Sequence, residues 1–104
     1  MRAGWYEKTG PAFEVVKTGD VETPKPGPGE ALVRLRASGI NPSDYKRRAN
    51  VKVPAEFPRV VPHSDGAGVV AGLGPGVSGL REGDRVWVYN AQWRRAMGTA
   101  AEYV

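Results

Sequence analysis

The sequence predicts a mainly-β domain, a curled sheet or partly open β-barrel with one or two short helices, and three observations carry that expectation. Glu30–Ser38 alternates, placing Ala31, Val33, Leu35 and Ala37 on one face and Leu32, Arg34, Arg36 and Ser38 on the other. That is the period of a strand with one buried side. Two valine-rich runs, Gly66–Leu73 and Arg85–Tyr89, are bounded by glycines and read as strands too. The 14 glycines and 9 prolines in 104 residues favour short strands joined by turns over long helices.

Taken in order, Arg2–Tyr6 and Phe13–Thr18 read as two short strands around the turn-like Thr9-Gly10-Pro11. Thr23–Gly29 is a loop, because its three prolines remove backbone donors and its two glycines admit unusual dihedrals. The long alternating strand follows. A helix of about two turns begins after Asn41: asparagine is a favoured N-cap, Pro42 suits the first helical position, and Asp44 lies near the positive end of the dipole. The two valine-rich strands come next, and Ala101–Val104 starts a last one.

A chain of 104 residues is enough for one domain, here residues 1–104. Its 40% apolar and 25% charged residues are those of a globular protein. No apolar run approaches the ~20 residues that span a bilayer, so no membrane role is expected. Met1–Lys8 lacks the apolar middle of a secretion signal, and without cysteine there is neither a disulfide framework nor a thiolate zinc site. A cytoplasmic setting follows as the default. The net charge of +4 rests on scattered residues, with Lys46-Arg47-Arg48 and Arg94-Arg95 the tight clusters. No nucleic-acid motif accompanies them, so they read as solvated charge, or as a basic rim that attracts an anionic cofactor or substrate.

Gly74-Pro75-Gly76-Val77-Ser78-Gly79 fits G-x-G-x-x-G, yet Leu80–Asp84 leads into a strand where a dinucleotide fingerprint requires a helix. It reads as a turn. Asn41 can cap a helix and still present its amide to a cleft. Tyr45 lies one helical turn further on, and Lys46 follows it. His63 is the only histidine, so no convergent metal-ligand set is in sight. Trp87 and Tyr89 share one strand face and read as core packing, whereas Trp93, beside Arg94, suits a substrate cleft.

Four segments, Ser38-Gly39-Ile40-Asn41-Pro42-Ser43-Asp44, His63–Val70, Gly83-Asp84-Arg85-Val86 and Gly98–Tyr103, stand in an order that resembles the N-terminal domain of the medium-chain dehydrogenase/reductases. The closest likeness is to the zinc-independent, zeta-crystallin-like quinone oxidoreductases. The resemblance implies a GroES-like barrel and hydride transfer from NADPH to a quinone or another conjugated carbonyl, without zinc. Asn41 occupies the place of the catalytic-zinc cysteine of related alcohol dehydrogenases and would face nicotinamide and substrate. The family's quinone-flanking tyrosine falls where this chain has Lys46, so Tyr45 stands one residue early and Lys46 could meet a cofactor phosphate. Ser64 and Asp65 would shape the cleft wall, with His63 beside them. Family members continue into a doubly wound domain that binds NADPH and commonly pair as homodimers. The expectation is that this domain lies outside residues 1–104 and that the chain alone is inactive. The competing reading is a stand-alone GroES-like interaction module, for which the Ala49–Phe57 loop, with Val51, Val53, Pro54 and Phe57, would serve as the apolar contact.

Overall fold

Two antiparallel sheets organise the computed structural model, which describes residues 1–104. One is the pair β1 (Arg2–Trp5) and β2 (Lys17–Asp20), separated by a one-turn helix, α1 (Ala12–Val15). The other holds β3 (Ala31–Ser38), β4 (Gly66–Leu73) and β5 (Arg85–Val88) in that order, with helix α2 (Pro42–Ala49) between β3 and β4. The domain is mainly β and the barrel does not close, as the sequence predicted.

The alternation of β3 holds over Val33–Arg36, whereas Ala37, expected on the buried face, is exposed and Leu32, expected on the other, is half-buried. The register of β3 against β4 shifts between Leu32 and Val33 and again between Leu35 and Ala37, so the strand is bulged as well as paired. Val33 is buried and Leu35 half-buried. Gly68 lets the β3 backbone approach: a Cβ there would overlap the Arg34 carbonyl. The G-x-G-x-x-G run is a turn between β4 and β5, with no helix after it.

Three sequence expectations need correction. Phe13–Thr18 is not one strand. Pro11 fixes an extended N-cap, and Glu14 and Val15 return their N–H groups to its carbonyl at 3.1 Å each. This local turn turns Val15 into the core with Tyr6 and Val60 and leaves Phe13 exposed. Pairing with β1 begins only at Lys17. Ala101–Val104 is not a strand either, because it divides its bonds between two sheets. Glu102 donates to the Arg2 carbonyl (3.0 Å) on one side, and Val104 exchanges bonds with Val33 (2.7 and 3.0 Å) on the other. Isolated bridges at Ala3–Ala101 and Arg34–Tyr103 result. Finally, Trp87 and Tyr89 are 75% and 67% exposed, not core. The period-two spacing holds, with ring centroids 5.5 Å apart, but Val86 and Val88 take the more buried side.

The core is thin: 14 of 104 residues are buried, so hydrogen bonds between loops carry much of the cohesion. Of 49 backbone bonds, 29 fall outside helices and strands. Phe57 packs on the Tyr6–Val15–Val60 cluster, which anchors one end of the loop whose Val51 and Val53 stay exposed.

Candidate functional site

The head of α2 and the start of β4 meet at a polar contact. Asn41 is extended (φ −118°, ψ 158°) and Pro42 opens the helix. Asp44 Oδ2 accepts from the Asn41 N–H at 2.7 Å, while the Asp44 N–H reaches the Asn41 carbonyl at 3.0 Å. The predicted cap position is therefore correct, and Asp44, itself buried, is a working part of it. Asn41 Nδ2 donates to Asp65 Oδ1 at 2.6 Å. This charge-assisted bond fixes the two side chains against each other.

The backbone and neighbours of Asp65 extend the network. Its carbonyl accepts from the Gly39 N–H (2.8 Å) and from Thr99 Oγ1 (2.7 Å). Thr99 Oγ1 lies 2.9 Å from Ser38 Oγ, and Ser38 Oγ lies 2.8 Å from His63 Nδ1. The protons can be assigned in sequence. Thr99 has one proton and gives it to a carbonyl, so it accepts from Ser38. Ser38 has then used its own proton and must accept from His63, which places a proton on Nδ1. Neutral His63 thus keeps Nε2 as an acceptor. His63 also holds φ 77°, a left-handed conformation uncommon outside glycine, and its carbonyl takes the Thr99 N–H at 2.9 Å.

Ser64 and Trp93, both expected at a cleft, line one together with Ser43, Gln92, Arg47 and Arg94; its volume is about 410 Å³. Tyr45 and Lys46 are exposed on α2 outside this lining, and neither bonds to Asn41. Ser38, Thr99 and Gln92 were missed by sequence reasoning. Ser38 sat on the polar face of its strand, and Thr99 pairs with it across 61 positions, beyond any local period. An apolar cavity of about 510 Å³, lined by Leu32, Phe57, Met97 and Val104 among others, shares only Arg94 with that cleft, and neither is lined by Asn41, His63 or Asp65. At its rim Glu30 is held below the usual glutamate range by the Gly27 N–H and then by Arg95 at 2.6 Å.

The donor set does not fit a catalytic zinc. No three His, Asp or Glu side chains converge, His63 Nδ1 is engaged by Ser38, and Asp65 Oδ1 is engaged by Asn41. For a nicotinamide cofactor the fit is that of a rim: Lys46 and Arg47 on α2 are exposed cations without ion pairs, suited to phosphate.

The family described as "Alcohol dehydrogenase GroES-like domain" matches residues 27–104. The human synaptic vesicle membrane protein VAT-1 homolog is 45% identical over 67 residues, covering 64% of this chain and 17% of that protein. A chloroplastic quinone-oxidoreductase of Triphysaria versicolor is 35% identical over 89 residues, covering 83% and 27%. Among solved structures, a cobalt- and zinc-bound thermostable alcohol dehydrogenase from Pyrobaculum aerophilum superposes with a TM-score of 0.85 at 36% identity, covering 100% of this chain and 38% of that one. A mycobacterial protein complexed with NADPH gives 0.81 at 31% identity, covering 99% and 30%. The chain thus spans 17% and 27% of the lengths of these two curated relatives.

Proposed function

Because the chain belongs to the alcohol dehydrogenase GroES-like domain family of the medium-chain dehydrogenase/reductases, we propose that it is the substrate-side half of an NADPH-dependent oxidoreductase acting on quinones or other conjugated carbonyls. Relatives include both quinone oxidoreductases and alcohol dehydrogenases. One observation favours the former. The Asn41–Asp65 hydrogen bond commits the polar groups at the head of α2 to each other, in a site whose donors suit orientation of a carbonyl compound and not metal ligation.

The cofactor, when bound, supplies the hydride. Residues of this chain supply position. Asn41, held by Asp65, orients the nicotinamide or the substrate carbonyl. Lys46 meets a cofactor phosphate. Ser64 and Trp93 shape the cleft and limit its water. The cofactor domain lies outside these 104 residues, and the complete protein works as a homodimer in the cytoplasm. No helix here is long and apolar enough to cross a membrane.

The test is consumption of NADPH, followed by loss of reduced-nicotinamide absorbance, with naphthoquinone as acceptor. The complete protein should turn over. Asn41→Ala should slow it by about tenfold to a hundredfold through lost orientation. The 104-residue chain alone should not exceed buffer, and turnover by it would sink the division of labour proposed. Zinc-dependent oxidation of an alcohol by the complete protein, with no quinone reduction, would replace this reading with that of an alcohol dehydrogenase.

A further inference from the structure

Gln92 is 4% exposed, yet no side-chain hydrogen bond within the chain involves its amide, and only its backbone carbonyl is bonded, by the Arg95 N–H. No fully enclosed polar side-chain atom lacks a partner, so the amide keeps its contact with solvent, and it does so through the cleft it lines. A buried glutamine has two donors and an acceptor to place. With no partner in the chain, they are free to bond whatever occupies the cleft, water or a ligand.

The backbone holds this arrangement in place. The Ala91 N–H reaches the Ser64 carbonyl at 2.8 Å, and the Arg95 N–H reaches the Gln92 carbonyl at 3.3 Å. Asn90 and Arg94 flank the turn in left-handed conformations, φ 53° and 54°. For arginine this is uncommon, and such conformations persist where the surroundings enforce them. The result points Gln92 inward while Trp93 and Arg94 stand at the mouth, the Arg94 guanidinium 5.6 Å from the centre of the Trp93 ring. The cleft is of ligand size. Its charged lining is Arg47 and Arg94 against Glu56, an excess of one positive charge.

We propose that Gln92 is the specificity-determining group of this cleft, bonding an oxygen of a planar conjugated carbonyl ligand whose anionic substituent meets Arg47 and Arg94. The identification of the ligand as a carbonyl compound rests on the function proposed above. An amide suits it in both redox states, since the N–H donates to a carbonyl and the amide oxygen accepts from the corresponding hydroxyl. A ligand that lacks the oxygen leaves the amide unpaired and is rejected for that reason.

The experiment is a titration of the isotope-labelled 104-residue chain by amide-resolved NMR with three probes: naphthoquinone sulfonate, naphthalene sulfonate and methylnaphthoquinone. Naphthoquinone sulfonate should move the Gln92 side-chain NH₂ and Trp93 indole resonances and bind about tenfold tighter than naphthalene sulfonate. Gln92→Met should erase that preference. Arg94→Gln should erase the advantage of the sulfonated quinone over the methylated one. A Gln92 resonance that stays fixed while the quinone binds, or a preference that survives in Gln92→Met, overturns the proposal. The resonance shift needs no variant, so it decides even where Gln92→Met fails to fold. Turnover of the complete protein with a preference independent of Gln92 removes this inference alone. A Gln92-dependent preference with no turnover removes the proposed reaction and leaves the binding site.

Discussion

Replacing Thr99 with valine removes one hydroxyl from a residue with no exposed surface, and keeps its shape. Two bonds go: the one donated to the Asp65 carbonyl at 2.7 Å and the one shared with Ser38 at 2.9 Å. Neither partner is orphaned. The Asp65 carbonyl keeps the Gly39 N–H at 2.8 Å, and Ser38 keeps His63 at 2.8 Å. The cost is therefore that of net hydrogen bonds, about 1–2 kcal/mol, and not the ~3 kcal/mol of a stranded buried group. In a domain of this size that lowers Tm by roughly 5–15 °C. Urea and thermal unfolding of wild type and Thr99→Val measure it. A second readout follows from the proton order. Without Thr99 to receive it, the Ser38 proton turns toward His63, and neutral His63 shifts from the Nδ1–H toward the Nε2–H tautomer. Imidazole nitrogen shifts in NMR report this directly. A stability loss under about 0.5 kcal/mol, or over about 3 kcal/mol, refutes this redundancy. So does an unchanged tautomer.

Two further outcomes test other parts of the molecule. Burial raises the Tyr6 phenol above its ordinary value, against smaller opposing effects of Arg47 and Arg48. A raised folded-state pKa stabilises fully below the unfolded tyrosine range, about pH 10, and that contribution fades as pH rises through the folded value. Urea midpoints should therefore fall faster above pH ~10 in wild type than in Tyr6→Phe; parallel curves would contradict it. Gly98→Ala should abolish stable folding, since a Cβ there would overlap the carbonyl oxygens of Pro62 and His63, both fixed backbone. A native-like circular dichroism spectrum with a Tm within a few degrees of wild type would show that this segment yields more easily than the geometry allows.

What could be read from the sequence was what local physics controls. The β3 alternation over Val33–Arg36, the Asn41-Pro42 helix start and the turn at Gly74–Gly79 each depend on residues within a few positions, and all three stand in the structure. Phe13–Thr18 misled because a four-residue helix has too few residues to show a period, and Pro11 outweighed the β-branched valines. Spacing placed Trp87 and Tyr89 together but could not say which side of β5 faces solvent, since that is settled by β4 and the chain beyond it. The site divides likewise. Asn41 and Asp65 came from recognisable segments, whereas the Ser38–Thr99 contact and the inward turn of Gln92 exist only once distant segments are brought together.

The division of residues 100–104 between the two sheets bears on how a nascent chain folds. β1 and β2 can pair early, and β3, β4 and β5 can assemble as their hairpins are completed. Yet the bonds that tie Arg2 and Gly4 to the rest run to Glu102 and Ala100, across nearly 100 positions. Closure of so long a loop is slow and comes late. While these residues are still in the ribosomal tunnel, the Tyr6–Val60 bonds can tie the first strands to the rest, but the edges of β1 and β3 stay open. Pausing just downstream would therefore matter more to its yield than pausing anywhere within the first half.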